Sequence, residues 1–260
     1  MDRPIVTLTT DWGEGGFFVG KVKGELYRLM GNVEVVDISH QLEPFNIMTA
    51  TFVVRHACLG FPASTIHIID VATRLPLLCI KAFGQYYLCC DNGLPSMVFG
   101  ENIEEVALLQ LDENGHYNFA ACNIFARAAA MLARGASVSD LGDPPDTMAK
   151  RTLPAYVSQN GDYRIYIHYI DRYGNAYLGM SYREFEELRA GRPFTLTVRD
   201  SVVSELSNSY HPQTAAAQDR RNRLRLVISS TGLLELAVSD GSLAQLIGLK
   251  VNESVLLKFK

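Results

Sequence analysis

No CxxC pair occurs in this chain, and its five cysteines (Cys58, Cys79, Cys89, Cys90 and Cys122) are odd in number with two of them adjacent. Neither a disulfide framework nor a zinc site is indicated, and the thiols read as buried, reduced core residues. No apolar run is long enough to span a bilayer. Met-Asp-Arg-Pro leads straight into a strand, without the apolar stretch of a signal peptide. A net charge of −4 gives no reason to expect nucleic acid or an anionic membrane as partner. Together these absences point to the cytoplasm. Nucleotide fingerprints are missing too. Gly13, Gly15 and Gly20 do not fit GxGxxG, and no Gly-Lys-Ser/Thr follows them. There is no internal repeat and no low-complexity tract.

What is present suits a globular protein of one large domain or two modest ones, with 260 residues, 48% hydrophobic and 20% charged. The chain is organised around residues 5–26, IVTLTTDWGEGGFFVGKVKGEL. A β-branched run ends in Asp11, a glycine-rich turn follows, and an amphipathic helix begins. Open α/β sheets bind ligands at the carboxyl ends of their strands, so Asp11 stands where a ligand would be met. Its charge suits a ribose diol better than a phosphate, which it would repel. The alternative from local sequence is an aspartate capping the next helix.

Hydrophobic periodicity predicts strands over 4–10, 33–39 and 64–72, with helices over 17–30 and 47–61 between them. Residues 77–90 predict a hairpin around Gly84, 104–111 a further strand, and 122–135 an alanine-rich helix stopped by Gly135. Alternating strands and helices argue for a mostly parallel α/β sheet. Three prolines make 142–154 a linker. Beyond it come short strands over 162–171, 193–200, 223–230, 233–238 and 254–259, with helices over 183–191 and 242–250, suggesting a small β-sandwich or barrel. The expected division is an α/β nucleoside-binding domain, 1–152, and a β-barrel domain, 153–260.

Six signposts coincide in order: TLTTDWG near the start, VVDISHQLEPFNI (35–47), FPASTIHII (61–69), DNGLPSMV (91–98), IDRYGNAYLGMS (170–181) and SSTGLLELAVSDGS (229–242). In this order and at these separations they resemble the S-adenosylmethionine hydroxide adenosyltransferase family, whose relatives include a chlorinase and a fluorinase. The resemblance implies an N-terminal α/β domain and a C-terminal β-barrel. It also implies a homotrimer, with S-adenosylmethionine between the α/β domain of one subunit and the barrel of its neighbour. The implied reaction is substitution at the ribose C5′ by water, hydroxide or halide, with methionine leaving. No metal or cofactor is expected; S-adenosylmethionine is substrate or ligand.

Carried over residue by residue, Asp11 falls on the aspartate that accepts from both ribose hydroxyls, and Phe45 on an aromatic or apolar position near the ribose. A turn residue packed on the core is the alternative for Phe45. Asp171 and Asn175 lie in the D-x-x-G-N loop that meets the methionine amino group and the adenine edge. A plain Asx turn is the alternative there. Ser230 matches a serine near the methionine carboxylate, and Asp91-Asn92 a structural turn.

The departures concern water. The family's hydrolases use an aspartate and an arginine from V-D-P-G-V-G-T-x-R-R, and a histidine from T-F-H-G-R-D. Here the first segment reads IIDVATRLPLLCI. If Asp70 is the aspartate, the arginine position falls on Leu77; if TIHII aligns without a gap, the aspartate position falls on Ala72. The histidine position falls on Ala120, which cannot relay a proton. Asp70, Thr73 and Arg74 are the remaining catalytic candidates, Thr73 as a distant echo of a halide-site hydroxyl. His40 reads as structural and His67 as a core residue. His56 is helical, and His116, His168 and His211 have no carboxylate or cysteine at metal-ligand spacing. Three readings follow: an enzyme with altered water activation, an inactive adenosyl-binding or sensor protein, and a trimeric scaffold that binds something else.

Overall fold

A computed structural model describes residues 3–111, 118–211 and 224–260. The chain divides into two compact units, Met1–Thr152 and Leu153–Lys260. His116 lies outside the described residues.

The first unit begins with β1 (Ile5–Thr10), α1 (Phe18–Met30), β2 (Glu34–Ser39) and α2 (Ile47–Val53). The helix of α2 continues as a π turn, Val54–Cys58, into β3 (Ile66–Asp70). Then come β4 (Leu77–Ala82), β5 (Gln85–Cys90), α3 (Leu94–Phe99), β6 (Ile103–Leu108), a second π turn (Ala121–Phe125) and α4 (Ala126–Ala133). The six strands form one sheet in the order β2-β1-β3-β5-β4-β6. Pairings β1–β2, β1–β3 and β3–β5 are parallel, and β4 is the antiparallel insertion expected of the 77–90 hairpin.

Alternation along the strands feeds two cores, one on each face. Val6, Leu8, Ile66, Ile68, Leu77 and Cys79 pack with α1 and α4, while Ile69, Val71, Leu78, Ile80 and Tyr87 pack with α2 and α3. Burial on both faces is why these strands read as unbroken apolar runs. All five cysteines are buried and free, as their apolar surroundings suggested.

The second unit holds β7 (Tyr156–Gln159), β8 (Asp162–Ile170), β9 (Ala176–Ser181), α5 (Tyr182–Arg189), β10 (Phe194–Val198) and β11 (Ser201–Val203). It continues with β12 (Leu206–Ser207), β13 (Leu224–Ile228), β14 (Leu233–Val238), α6 (Leu243–Ile247) and β15 (Ser254–Phe259). One nine-stranded sheet runs β11-β10-β15-β8-β9-β14-β13-β12, with β7 paired to β8. A single cluster gathers Leu196, Leu257, Ile165, Leu178, Leu236 and Leu226 from six of these strands. A flat sheet could not bring them together, so the sheet curls into a half-barrel. Ser181 and Glu184 close a capping box at α5: each side chain accepts from the other's backbone amide.

Candidate functional site

Strands β1, β2 and β3 end side by side, and the chemistry-bearing residues of the first unit collect at that edge. Asp11 follows β1 directly. Its Oδ2 accepts from the Phe45 amide at 2.8 Å and from the Ala72 amide at 3.3 Å. Both donors sit at positive φ, Phe45 at 65° and Ala72 at 48°, a region that costs non-glycine residues energy. One carboxylate oxygen thus braces the loops after β2 and β3 in strained conformations. No described residue hydrogen-bonds Oδ1. Asp11 does not cap α1, whose N-cap is Phe17 without a side-chain bond. Gly13, at φ 75°, turns the chain so that its amide donates to the His40 carbonyl at 2.7 Å.

Asp70 ends β3 and is buried, with Oδ2 accepting from the Ala121 amide at 3.2 Å. That amide opens the second π turn, a distortion that recurs at functional sites. Burial pushes the Asp70 carboxyl above its usual range, and the nearby Asp11 charge adds to this. The Thr73 hydroxyl lies buried beside Asp70 and the Cys90 thiol, with neither in good hydrogen-bond geometry. Arg74 is exposed. Of the three catalytic candidates, Asp70 and Thr73 are brought together at the strand edge, and Arg74 faces solvent. Leu77 and Ala120 are both core residues.

Aromatic rings rim this edge. Trp12 meets Phe119 edge-on at 5.1 Å between centroids, and Phe18 meets Phe119 at 5.2 Å. Phe45 is 79% exposed, so it does not pack on the core.

In the second unit, Asp171 and Asn175 form the D-x-x-G-N turn. Asp171 Oδ1 accepts from the Asn175 amide at 2.8 Å, and Oδ2 from its Nδ2 at 3.2 Å. The Asn175 side chain has one N–H and its carbonyl left over, enough for one donor–acceptor pair. Gly174, at φ 84°, is required here, because a Cβ would lie 2.0 Å from Ser242 Oγ. Ser230 is exposed in the β13–β14 turn, next to the far end of β9. Six residues of β9 separate the two turns, roughly 20 Å at about 3.3 Å per residue. Between them, fully buried Glu235 stands opposite Tyr177 and accepts from the Tyr210 hydroxyl through both oxygens at 3.0 Å. Burial raises its carboxyl, and Tyr210 opposes that shift. Sequence reasoning passed over Glu235; its one signal is a charged residue within the apolar run LLELAV.

Two family profiles match the chain: the SAM hydroxide adenosyltransferase N-terminal domain over residues 6–142, and the C-terminal domain over 165–256. The chain belongs to the SAM hydroxide adenosyltransferase family. A relative from Salinispora tropica, named (R)-S-adenosyl-L-methionine hydrolase, is 27% identical over 256 residues and 94% of each chain. A protein of the same name from Thermus thermophilus is 26% identical over 95% of this chain and 96% of its own. Among solved structures, an uncharacterized conserved protein from Thermotoga maritima superposes with a TM-score of 0.84 at 24% identity, covering 98% of this chain and 99% of that one.

Family membership joins the two halves of the sequence reading, the α/β unit and the curled sheet, in one architecture. Within it, Asp11, Phe45 and Asp70 share one strand edge, while Asp171 and Asn175 sit a strand's length from Ser230. No helix among the described residues is long and apolar enough to cross a membrane.

Proposed function

We propose that this member of the SAM hydroxide adenosyltransferase family is an enzyme that cleaves S-adenosylmethionine at the ribose C5′, using water or hydroxide and releasing adenosine and methionine. The observation that carries this reading is the Asp11–Asp70 pair at one strand edge. One carboxylate has an oxygen to offer a ribose diol; the other is buried and unusually basic. In the step proposed, water oxygen bonds to C5′ as the C5′–S bond breaks. The bonding pair leaves with sulfur, giving the neutral thioether of methionine. Asp70 takes the proton of the attacking water. The sulfonium is already a good leaving group, so orientation and proton removal are the main demands. Asp171 and Asn175 are proposed for the methionine amino group and the adenine edge. Ser230, a strand's length from Asp171, is too far away to hold the carboxylate of the same methionine. The assembly is proposed to be a homotrimer, which light scattering of the pure protein tests.

A second reading has a specific observation behind it. The family resemblance puts the histidine position on Ala120, and either the arginine position on Leu77 or the aspartate position on Ala72, and all three residues are apolar. On that reading the protein binds an adenosyl ligand without turning it over. Incubation with S-adenosylmethionine, with and without chloride, beside a calorimetric titration, separates the two. Adenosine and methionine release supports the enzyme, a chlorinated nucleoside in chloride alone supports a halide nucleophile, and binding without product supports the sensor. Neither binding nor turnover refutes all of them.

A further inference from the structure

His40 lies outside every candidate site position, yet three of the four residues from Thr10 to Gly13 are tied to it. The Thr10 hydroxyl is 2.8 Å from Nδ1. Trp12 lies nearly parallel to the imidazole, at 13° and 6.1 Å between centroids. Gly13 donates its amide to the His40 carbonyl at 2.7 Å. On the ring's other side Asp37 Oδ1 lies 3.1 Å from Nε2, outside good hydrogen-bond geometry. Asp37, itself exposed, is in turn held by Lys23 of α1; partial desolvation pushes its carboxyl up, and Lys23 and His40 hold it below the usual range. The anionic oxygen nearest Nε2 favours the ring proton on that nitrogen, which leaves Nδ1 to accept from the Thr10 hydroxyl.

The one residue of the four that His40 does not touch is Asp11, whose side chain points instead to Phe45 and Ala72. His40 is 5% exposed, too buried to meet a ligand. We propose that His40 is a positioning residue: it clamps the chain on both sides of Asp11 and so aims the carboxylate at the ribose diol. A rigid site needs such a supporting shell, because a carboxylate turned by a fraction of an ångström loses its bidentate geometry. This inference rests on the reading that Asp11 receives the diol.

The test is diol discrimination, measured by calorimetry with adenosine and 2′,3′-dideoxyadenosine. Wild type binds adenosine more tightly. His40→Ala lowers that preference roughly ten-fold, the scale of one misaligned charge-assisted bond, while dideoxyadenosine affinity stays within about two-fold. His40→Asn, which restores an acceptor near Nδ1, recovers part of the preference. Thr10→Val removes the same hydrogen bond with little change of shape, and lowers the preference in the same direction should His40→Ala fold poorly. An unchanged preference in Thr10→Val or in folded His40→Ala overturns the proposal, as does an equal loss for both ligands. A wild type that does not distinguish the two ligands refutes the ribose reading of Asp11 itself, and the His40 proposal falls with it.

Discussion

Replacing Asp11 by asparagine and by alanine separates its two jobs, because the structure assigns them to different oxygens. Oδ2 braces Phe45 and Ala72; Oδ1 is the one proposed to meet the ligand. In Asp11→Ala both amides lose their acceptor. The Phe45 amide is at the surface, where water replaces the carboxylate at little cost. The Ala72 amide is partly buried, and the strained backbone at both residues loses its restraint. A hydrogen bond to a charged group contributes about 1.5–3 kcal/mol, so the alanine variant is expected to lose about 2 kcal/mol of stability. Asparagine keeps a carbonyl oxygen for both amides and gives up only charge assistance, so about 0.5–1 kcal/mol is expected. Binding follows another pattern. With its carbonyl held by the two amides, asparagine turns its Nδ2 donor to the ligand where an acceptor for the hydroxyls is needed, and a loss of about 2 kcal/mol corresponds to roughly thirty-fold in Kd. Urea denaturation measures the first quantity and calorimetry with adenosine the second. The expected signature is an asparagine variant that is nearly as stable as wild type but binds weakly. An asparagine variant with wild-type affinity would refute the ligand role, and an alanine variant of wild-type stability would refute the brace.

Two further outcomes follow from buried titratable groups. Asp70→Asn should lower kcat by at least roughly a hundred-fold, the usual contribution of a positioned base, while Kd for S-adenosylmethionine changes only a few-fold. Equal effects on both would make Asp70 a structural residue. His67 is fully buried against Tyr87, with Nδ1 2.7 Å from Thr7 Oγ1, and burial lowers its pKa from 6.5 to about 4. The unfolded chain therefore binds a proton that the folded one refuses. Stability is fully present above pH 6.5 and falls as pH drops from 6.5 towards 4, with a loss of about 1.5 kcal/mol between pH 6.5 and 5. Denaturation curves of wild type and His67→Gln over this range test it; parallel pH dependences contradict the assignment.

Much of this fold was legible in its local patterns, and the gaps have physical causes. The β4–β5 hairpin was readable because Phe83 and Gly84 make a tight turn between two apolar runs, both at positive φ. β9 was passed over, since Gly179 interrupts AYLGMS; there a Cβ would lie 2.4 Å from His168 Nε2. β7, β11 and β12 are too short or too exposed to show a period. The expected barrel corresponds to the curled half-barrel sheet of the second unit, whose curl depends on pairings that no single strand encodes. The π turns at 54–58 and 121–125 looked like plain helix, since a one-residue bulge leaves the hydrophobic stripe nearly intact. At the site, Asp11 was visible as a carboxylate at a strand end. Its partners Phe45 and Ala72 lie 34 and 61 residues away and donate through backbone, which side-chain identity does not report. His40 was visible within VDISH, but its grip on residues 10, 12 and 13 exists only once β1 and β2 lie side by side.

The central claim is that water reaches the ribose C5′ at a site whose basic group is Asp70. Turnover of S-adenosylmethionine in water enriched in the heavy oxygen isotope tests it most directly, with mass spectrometry of the nucleoside product. Adenosine carrying the heavy isotope at its 5′ hydroxyl is expected, with one methionine released per adenosine and at least roughly a hundred-fold slower release from Asp70→Asn. Adenosine no more abundant than in the protein-free control, or adenosine without the label, would contradict it.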